Sequence, residues 1–433
     1  MQRKLQHFLD NWYSSTERKP LLVRGARQVG KSHLIREFSK RFEYFVEINF
    51  DMDKTANIFF PDTINVEKIC EKLSYYKETP VIPGKTLIFL DEIQDCPNAL
   101  KALRYFKELM PELHIIAAGS FLEFLIEKIG VPVGRVEFMH VYPMSFLEYL
   151  DAVGESILHD SIVNNKLIDV LHNKLLEHYK VYTLIGGMPE VVHSYVKHKD
   201  LLRCQKIQSD IINAYLQDFN KYAKTKQIDN LNIIIDRIPN VIGNKLVLTK
   251  FDAPMSAYNV KQCINLLKMA GLIYQCTHTS AQSLPLSAGK KHNKYKLYFL
   301  DVGLLQNMLG VKLKDWIVED AFAAHRGLIA EQFVAGELMA YSDESKFSEL
   351  FYWHREARSS NAEVDFVIEI DGKVIPIEVK SGDKGHLKSM QLFLQSHSKT
   401  PYGVRLSSAF LSEHNLVKSI PIYALYSLIS SCY

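Results

Sequence analysis

Residues 20–38, PLLVRGARQVGKSHLIREF, constrain the fold of this chain more than any other stretch. A short apolar run comes first, a loop with two glycines follows, and the apolar residues after it recur with helical spacing. The loop matches the pattern GxxxxGK[ST] and consists of Gly25, Ala26, Arg27, Gln28, Val29, Gly30, Lys31 and Ser32. Glycines let the backbone wrap a phosphate, and amides at a helix N-terminus point at it. The run therefore predicts a strand, a phosphate-binding loop and a helix in an α/β fold.

Residues 85–94, KTLIFLDEIQ, supply the acidic groups that such a loop requires. A buried parallel strand ending in Asp91 and Glu92 would deliver both carboxylates to the carboxyl edge of the sheet. Lys31 would then meet the β and γ phosphates, while Ser32 and Asp91 would hold Mg²⁺ and Glu92 would polarise the attacking water. The alternative is a strand that runs into an acidic loop without a catalytic role.

Two further elements are candidates for sensing or stabilising the γ-phosphate. The strand LHIIAAGS ends in Ser120, a short polar side chain in the right place along the chain. Arg135 follows a glycine-containing turn and is predicted to supply positive charge to the transition state, within the chain or to a neighbouring copy. Arg104 competes for that role, and either arginine could instead be a solvated surface residue.

Together, the loop, LIFLDEIQ, the AAGS strand end and GRVEFMHVYPMSFLEYL resemble the AAA+ P-loop ATPases of the archaeal-ATPase-like group. The resemblance covers about the first 150 residues. It implies an AAA+ core at residues 1–154 that binds ATP and Mg²⁺ and hydrolyses ATP.

The sequence pattern predicts two segments in the middle of the chain. Residues 155–235 are predicted to be helical, with a GGMP turn that resembles a signature of the same group. Residues 236–312 give helix, strand, loop and strand, the order of a winged helix, with a helix that begins after Ser256 and ends at Gly271. Basic residues on its outer side and wing suit a phosphate backbone, so DNA is the expected partner and a protein is the alternative. These residues are Lys261, Lys268, Lys290, Lys291, His292, Lys294 and Lys296, with Gln262 and Asn265 beside them.

Near the C-terminus, residues 363–382, EVDFVIEIDGKVIPIEVKSG, predict a β-hairpin around an Asp-Gly turn. The register places Asp365 opposite Glu378, with Lys380 on the same face. Two carboxylates opposite each other repel. The hairpin could carry this polar face merely as a solvated surface, with Lys380 balancing Glu363.

The helix HRGLIAEQFVAGELMAY, which contains Glu331, precedes this hairpin, and the order resembles that of the PD-(D/E)XK restriction-endonuclease-like nucleases. The resemblance implies that Asp365, Glu378 and a carbonyl near Val379 bind Mg²⁺ or Mn²⁺. It also implies that Lys380 steadies the water or the phosphate charge and that Glu331 helps to hold metal or water. It assigns residues 313–433 to a nuclease-like α/β domain. The whole order resembles prokaryotic AAA+ ATPases with a winged helix and a nuclease-like C-terminal domain of unknown function.

Composition limits the remaining possibilities. A chain of 433 residues is long enough for several domains, and its formal charge of +3 leaves room only for a local basic surface. The cysteines lack CxxC spacing, which predicts free thiols, and no apolar stretch is long enough for a signal peptide or membrane span. We therefore expect a cytoplasmic ATPase without membrane contact, coupled to DNA processing or defence. The alternatives are an ATP-dependent switch that binds DNA, a protein or a second copy without cleavage, and a catalytically silent scaffold.

Overall fold

The computed structural model describes residues 3–130, 134–222, 225–251, 255–310, 326–355, 361–382 and 387–430. Its N-terminal part contains a parallel sheet of five strands in the order β2-β3-β4-β1-β5. The strands are β1 (Leu21–Arg24), β2 (Tyr44–Asn49), β3 (Thr86–Asp91), β4 (His114–Ala118) and β5 (Glu137–His140). The helices are α1 (Gln6–Ser14), α2 (Lys31–Ser39), α3 (Val66–Lys77), α4 (Pro97–Leu109) and α5 (Leu122–Ile129).

Apolar residues on both faces of this sheet build its core. The strand Thr86–Asp91 is buried along its whole length, as a central parallel strand requires. One apolar cluster joins β1 to α1 and α2, and a second joins β1, β2 and β3 to α3 and α4. The predicted α/β class of the N-terminal region is confirmed, and its loop of residues 25–32 lies at the carboxyl edge of the sheet.

Helices fill the stretch that follows. They are α6 (Phe146–Val153), α7 (Ser156–Val163), α8 (Asp169–Ile185), α9 (Pro189–His198), α10 (Leu201–Tyr222) and α11 (Thr225–Arg237). The GGMP turn separates α8 from α9, and Pro189 occupies the first turn of α9, where its missing N–H costs nothing.

The remaining strands form one mixed sheet of eight, in the order β12-β13-β11-β10-β9-β8-β6-β7. The strands are β6 (Ile273–Thr279), β7 (Lys290–Phe299), β8 (Leu350–His354), β9 (Glu363–Ile370), β10 (Lys373–Val379), β11 (Gly403–Ser407), β12 (Ser412–His414) and β13 (Val417–Pro421). The helices around them are α12 (Ala257–Met269), α13 (Val302–Met308), α14 (Arg326–Ala340), α15 (Lys388–Ser396) and α16 (Leu425–Ile429). Short 3₁₀ turns lie at residues 54–59, 93–95, 238–240, 248–251, 286–289 and 422–424.

The predicted hairpin has the expected register. Lys373 pairs with Ile370 and Pro376 with Val367, and the pairing reaches Ile377 and Phe366, one position short of Glu378 and Asp365. The turn residues have positive φ angles, 49° at Asp371 and 70° at Gly372, as a tight two-residue hairpin requires. The Asp-Gly signal thus predicted the register correctly as far as Ile377 and Phe366.

The predicted winged-helix segment has the expected order of elements but an unexpected neighbour. Ser256 caps α12 by accepting a hydrogen bond from the amide of Asn259, and β6 and β7 pair antiparallel. However, β6 also pairs in parallel with β8, so one sheet crosses the predicted boundary between residues 312 and 313. Lys296, expected on an exposed wing, is buried with 2% of its surface accessible. It is therefore not an exposed DNA contact.

Two expectations from composition can be compared with the described residues. The cysteines among them are free, as predicted, and all are buried: Cys70, Cys96, Cys204, Cys263 and Cys276. Cys432 lies outside the described residues. In the described part of the chain, we find no helix with the length and apolar character needed to cross a membrane.

A buried histidine at the start of β4 packs among aromatic rings of the N-terminal domain. His114 stacks on Tyr13, its ring is edge-on to Trp12, and its Nδ1 has no hydrogen-bond partner within the described ranges. Burial, aided by the charge of Arg18, lowers the pKa of His114 to about 4. As the pH falls, the unfolded chain therefore binds a proton at His114 before the folded chain does. The stabilisation of the fold that depends on the neutral histidine is present above pH ~6.5 and is lost as the pH falls towards 4.

We expect His114→Phe to reduce this acid-induced loss of stability by about 1–2 kcal/mol, because the aromatic packing stays and the proton site goes. Unfolding by urea between pH 7 and 4.5 measures the effect. His7→Phe, at an exposed position on α1, is the matched control. Parallel pH profiles for the parent and His114→Phe would contradict the assignment.

Candidate functional site

The phosphate-binding loop presents a buried lysine at the first turn of α2. Gly30 has a φ of 93°, which a side chain would strain, and it leads directly into the helix. Lys31 Nζ donates to the carbonyl oxygens of Gly25 (3.0 Å) and Ala26 (2.8 Å) and to Ser120 Oγ (3.0 Å). Burial lowers the pKa of Lys31 to about 8, although Glu92 and Asp91 oppose that change. The ammonium is thus held by weak neutral acceptors that a phosphate could replace.

The predicted acidic residues lie beside this lysine. Ser32 Oγ donates to Asp91 Oδ2 at 2.8 Å, and the amide of Glu92 donates to Asp91 Oδ1 at 3.1 Å. Burial raises the pKa of Asp91, although the hydrogen bond from Ser32 opposes it. Glu92 has a positive φ of 51°, and its Oε2 accepts from Gln94 at 2.6 Å. Ser32 and Asp91 together offer oxygen ligands that suit Mg²⁺.

Asn49 is a residue of this site that the sequence reasoning missed. It ends β2 directly opposite Asp91 on β3, and its Nδ2 donates to Asp91 Oδ2 at 3.1 Å. The signal was available, because a polar residue ending a neighbouring parallel strand meets the same edge of the sheet.

Arg135 does not lie beside the loop of its own chain. Glu137, which begins β5, is opposite Leu21, which begins β1, so Arg135 precedes the amino ends of both strands. The loop follows the carboxyl end of β1. Arg135 pairs instead with Glu108 at 3.0 Å, as does Arg104 at 3.1 Å. The expected role within the chain is therefore wrong for Arg135, and only a role towards a neighbouring copy remains a prediction.

Residues outside the sheet also contact the phosphate-binding loop. The sequence did not predict these contacts. Arg3 donates to the carbonyl of Val29 at 3.0 Å. From α10, Tyr215 donates to the carbonyl of Arg27 at 2.5 Å, and Asp218 forms an ion pair with the Arg27 guanidinium. The helix that follows the GGMP turn also packs here, since a Cβ added to Gly30 would lie 3.3 Å from Pro189. The loop is thus in direct contact with the helical middle of the chain.

The second candidate site is the acidic cluster of Glu331, Glu363, Asp365 and Glu378. Asp365 Oδ2 accepts a hydrogen bond from the amide of Val379 at 2.8 Å. Lys380 Nζ donates to Glu378 Oε1 at 2.6 Å. Glu378 Oε2 is buried and has no hydrogen-bond partner among the residues that the structure describes. A buried carboxylate oxygen without a donor is costly unless a cation or a proton meets it.

Lys296 is the unexpected member of this cluster. Its Nζ lies 2.5 Å from Glu363 Oε1, 3.7 Å from Glu331 Oε2 and 3.9 Å from Asp365 Oδ1. Glu363 also binds Lys245 at 2.9 Å. The alternative in which Lys380 balances Glu363 is therefore wrong, because Lys380 pairs with Glu378.

Burial and mutual repulsion dominate the electrostatics of the cluster. Burial and then Asp365 raise the pKa of Glu331 to about 8 and that of Glu378 to about 7. Burial also raises the pKa of Asp365, although Lys296 opposes it. Glu363 differs, because Lys296 and Lys245 outweigh its burial and lower its pKa. The cluster therefore favours additional positive charge near Asp365 and Glu378.

Two oxygens of the hairpin carboxylates make few contacts with donors. Glu378 Oε2 is free to ligate, and Asp365 Oδ1 faces an ammonium only at 3.9 Å. Across the described ranges, no group of three or more His, Cys, Asp or Glu side chains has the arrangement of a metal site. Mg²⁺ is commonly held by one or two carboxylates with water as its other ligands.

Comparison with known families places these two sites in different parts of the chain. Residues 17–150 match the model of a family described as an AAA domain. The N-terminal region is a P-loop domain of the AAA type. This match indicates an ATP-binding AAA-type ATPase, a class that typically uses Mg²⁺. No curated protein matches the chain.

Beyond the AAA domain, residues 176–315 match a domain of unknown function, DUF8612, and residues 326–425 match another, DUF4143. The phosphate-binding loop, Asp91 and Ser120 all lie inside the AAA match. The acidic cluster and its lysine come from both of the other matched regions. Lys296 lies in the first region, and Glu331, Asp365 and Glu378 lie in the second.

Proposed function

We propose that this protein hydrolyses ATP in its AAA domain and couples that reaction to DNA processing or defence by a nuclease-like site in its C-terminal sheet. The observation that carries the second part is the unpartnered, buried Oε2 of Glu378 beside Asp365 and Lys380. Acid, acid and lysine on one hairpin suit the hydrolysis of a phosphodiester.

In the AAA domain, Lys31 exchanges its carbonyl partners for the β and γ phosphates of ATP. Ser32 and Asp91 would hold Mg²⁺ through their oxygens. Glu92, on the strained turn after β3, orients the attacking water and accepts its proton. Ser120, which already contacts Lys31 Nζ, senses the γ-phosphate.

In the C-terminal sheet, Asp365, Glu378 and the carbonyl of Val379 would hold Mg²⁺ or Mn²⁺. The chemistry that a divalent cation would supply there is polarisation of the scissile phosphate and activation of water. Lys380 neutralises charge that develops on the phosphate, and Glu331 accepts a proton or orients water. The amide of Val379 donates to Asp365 Oδ2 and so fixes the orientation of this carboxylate.

Calorimetry with Mn²⁺, with the ATP site disabled by Lys31→Ala, tests this site. We expect the parent cluster to bind Mn²⁺ and Asp365→Ala to weaken binding at least tenfold, because an oxygen ligand is lost. Plasmid nicking should fall to background in both Asp365→Ala and Lys380→Ala. Glu369→Ala removes an exposed acid from the same strand and is the matched control. Manganese binding that is insensitive to Asp365→Ala would contradict the site.

The second candidate function is an ATP-dependent switch that binds DNA or a protein without cleavage. The contacts of α10 with the phosphate-binding loop favour it, because ATP would compete with Asp218 for Arg27. Lys291 and His292 on β7 remain exposed and could meet a phosphate backbone. Metal binding without nicking, together with ATP-dependent DNA affinity, would support the switch over the nuclease.

A further inference from the structure

We propose that Lys296 occupies the position of a second cation in the acidic cluster and thereby limits the nuclease-like site to one divalent ion. The inference rests on the proposed metal site at Asp365 and Glu378. It adds a residue that lies outside the hairpin and outside the C-terminal family match.

The contacts of Lys296 are those of a bound cation rather than those of a surface lysine. Only 2% of its side chain is exposed, and its Nζ faces carboxylate oxygens of Glu363, Glu331 and Asp365 within 3.9 Å. The ring of Tyr352 lies beneath it, with Nζ 5.4 Å from the ring centroid. The three carboxylates supply the negative charge that a buried ammonium requires.

The ammonium divides the carboxylates of the cluster into two sets. Glu363 and one edge of Glu331 face Lys296, and Tyr298 donates to Glu331 Oε2 at 3.1 Å. Glu378, with its unpartnered Oε2, pairs instead with Lys380 at 2.6 Å. The side of the cluster between Asp365 and Glu378 is therefore the place left for a divalent ion.

A second divalent ion bound to Glu331 and Asp365 would meet the ammonium at close range. Two positive charges a few ångströms apart in a buried site repel strongly. The geometry therefore favours a mechanism with one metal ion, in which lysines supply the remaining positive charge.

Lys296 reaches the cluster only because β6 and β7 join the C-terminal sheet. The parallel pairing of β6 with β8 places β7 at the sheet edge and turns residue 296 inwards. A segment that precedes the C-terminal family match thus determines how many divalent ions the site can hold.

Counting bound Mn²⁺ by electron paramagnetic resonance tests this inference on the full chain. Asp91→Asn serves as the background, because it removes the other carboxylate expected to hold a divalent ion. We expect the parent to bind one ion at the cluster and Lys296→Met to bind two, since Glu331 and Asp365 become available. The double variant Lys296→Met with Glu363→Gln removes one charge of each sign, so that no unbalanced buried charge at Glu363 destabilises the fold. It should also bind two ions.

Lys245→Met is the matched control, because Lys245 also binds Glu363 but is 44% exposed and lies on the outer side. It should retain one ion. If the folded double variant still binds one ion with unchanged affinity, Lys296 does not occupy a cation position. Two ions in the parent would overturn the inference while upholding the metal site. Ions that persist after Asp365→Ala would instead overturn the proposed function.

Discussion

Lys31→Ala is expected to abolish the stabilisation of the protein by ATP and Mg²⁺. At a ligand concentration one hundred times the dissociation constant, ATP should stabilise the parent by about 2.7 kcal/mol, which a melting experiment resolves as a shift of several degrees. Lys31 is the buried cation of the loop, and its carbonyl and hydroxyl partners leave its charge available to phosphate. Its removal leaves the β and γ phosphates without their principal counter-charge.

Lys40→Ala provides the matched control for this experiment. Lys40 follows the end of α2, is exposed and pairs only with the nearby Glu37 among the described contacts. Its variant should keep the full ATP-induced shift. An equal shift in Lys31→Ala and in the parent would refute nucleotide binding at this loop.

Glu92→Gln is expected to retain ATP while slowing its hydrolysis by about a hundredfold or more. Gln preserves the size of the side chain but cannot take a proton from water, and general-base catalysis contributes about 10²–10⁴-fold. Asp91→Ala should instead weaken Mg²⁺-dependent binding, because Asp91 is the carboxylate that contacts Ser32. The two adjacent acids thus have separable effects.

Phosphate release and ATP affinity measured on the same samples distinguish these effects. Glu78→Gln is the control, since Glu78 also has a positive φ, 48°, but lies exposed at the end of α3. Turnover that is equal in Glu92→Gln and in the parent would remove Glu92 from the mechanism, and another base would have to be sought.

Local patterns predicted the parts of each site that adjacent residues create. The GxxxxGK[ST] loop depends on neighbouring backbone, and the Asp371-Gly372 turn fixes the register of its own hairpin. The strand-end argument also named Ser120 as a candidate γ-phosphate sensor, and the structure places its hydroxyl 3.0 Å from Lys31 Nζ.

Contacts between distant segments could not be predicted in the same way. Lys296 looks like any wing lysine until β6 pairs with β8, and that pairing is encoded by packing over a large surface rather than by a local motif. Arg135 was misplaced for a related reason, because its glycine-containing turn says nothing about which edge of the sheet it occupies. The hydrogen bond from Tyr215 to the carbonyl of Arg27 likewise depends on how α10 packs.

The single sheet that runs from β7 to β12 has a consequence for how this chain can be divided. A fragment that begins at residue 326 would leave β8 without its partner β6 and expose a row of unsatisfied backbone groups along a mostly buried, apolar strand. Such open edges recruit other chains and promote aggregation. The smallest soluble C-terminal fragment should therefore start before residue 273, and exchange of modules between related proteins should preserve residues 273–421 together.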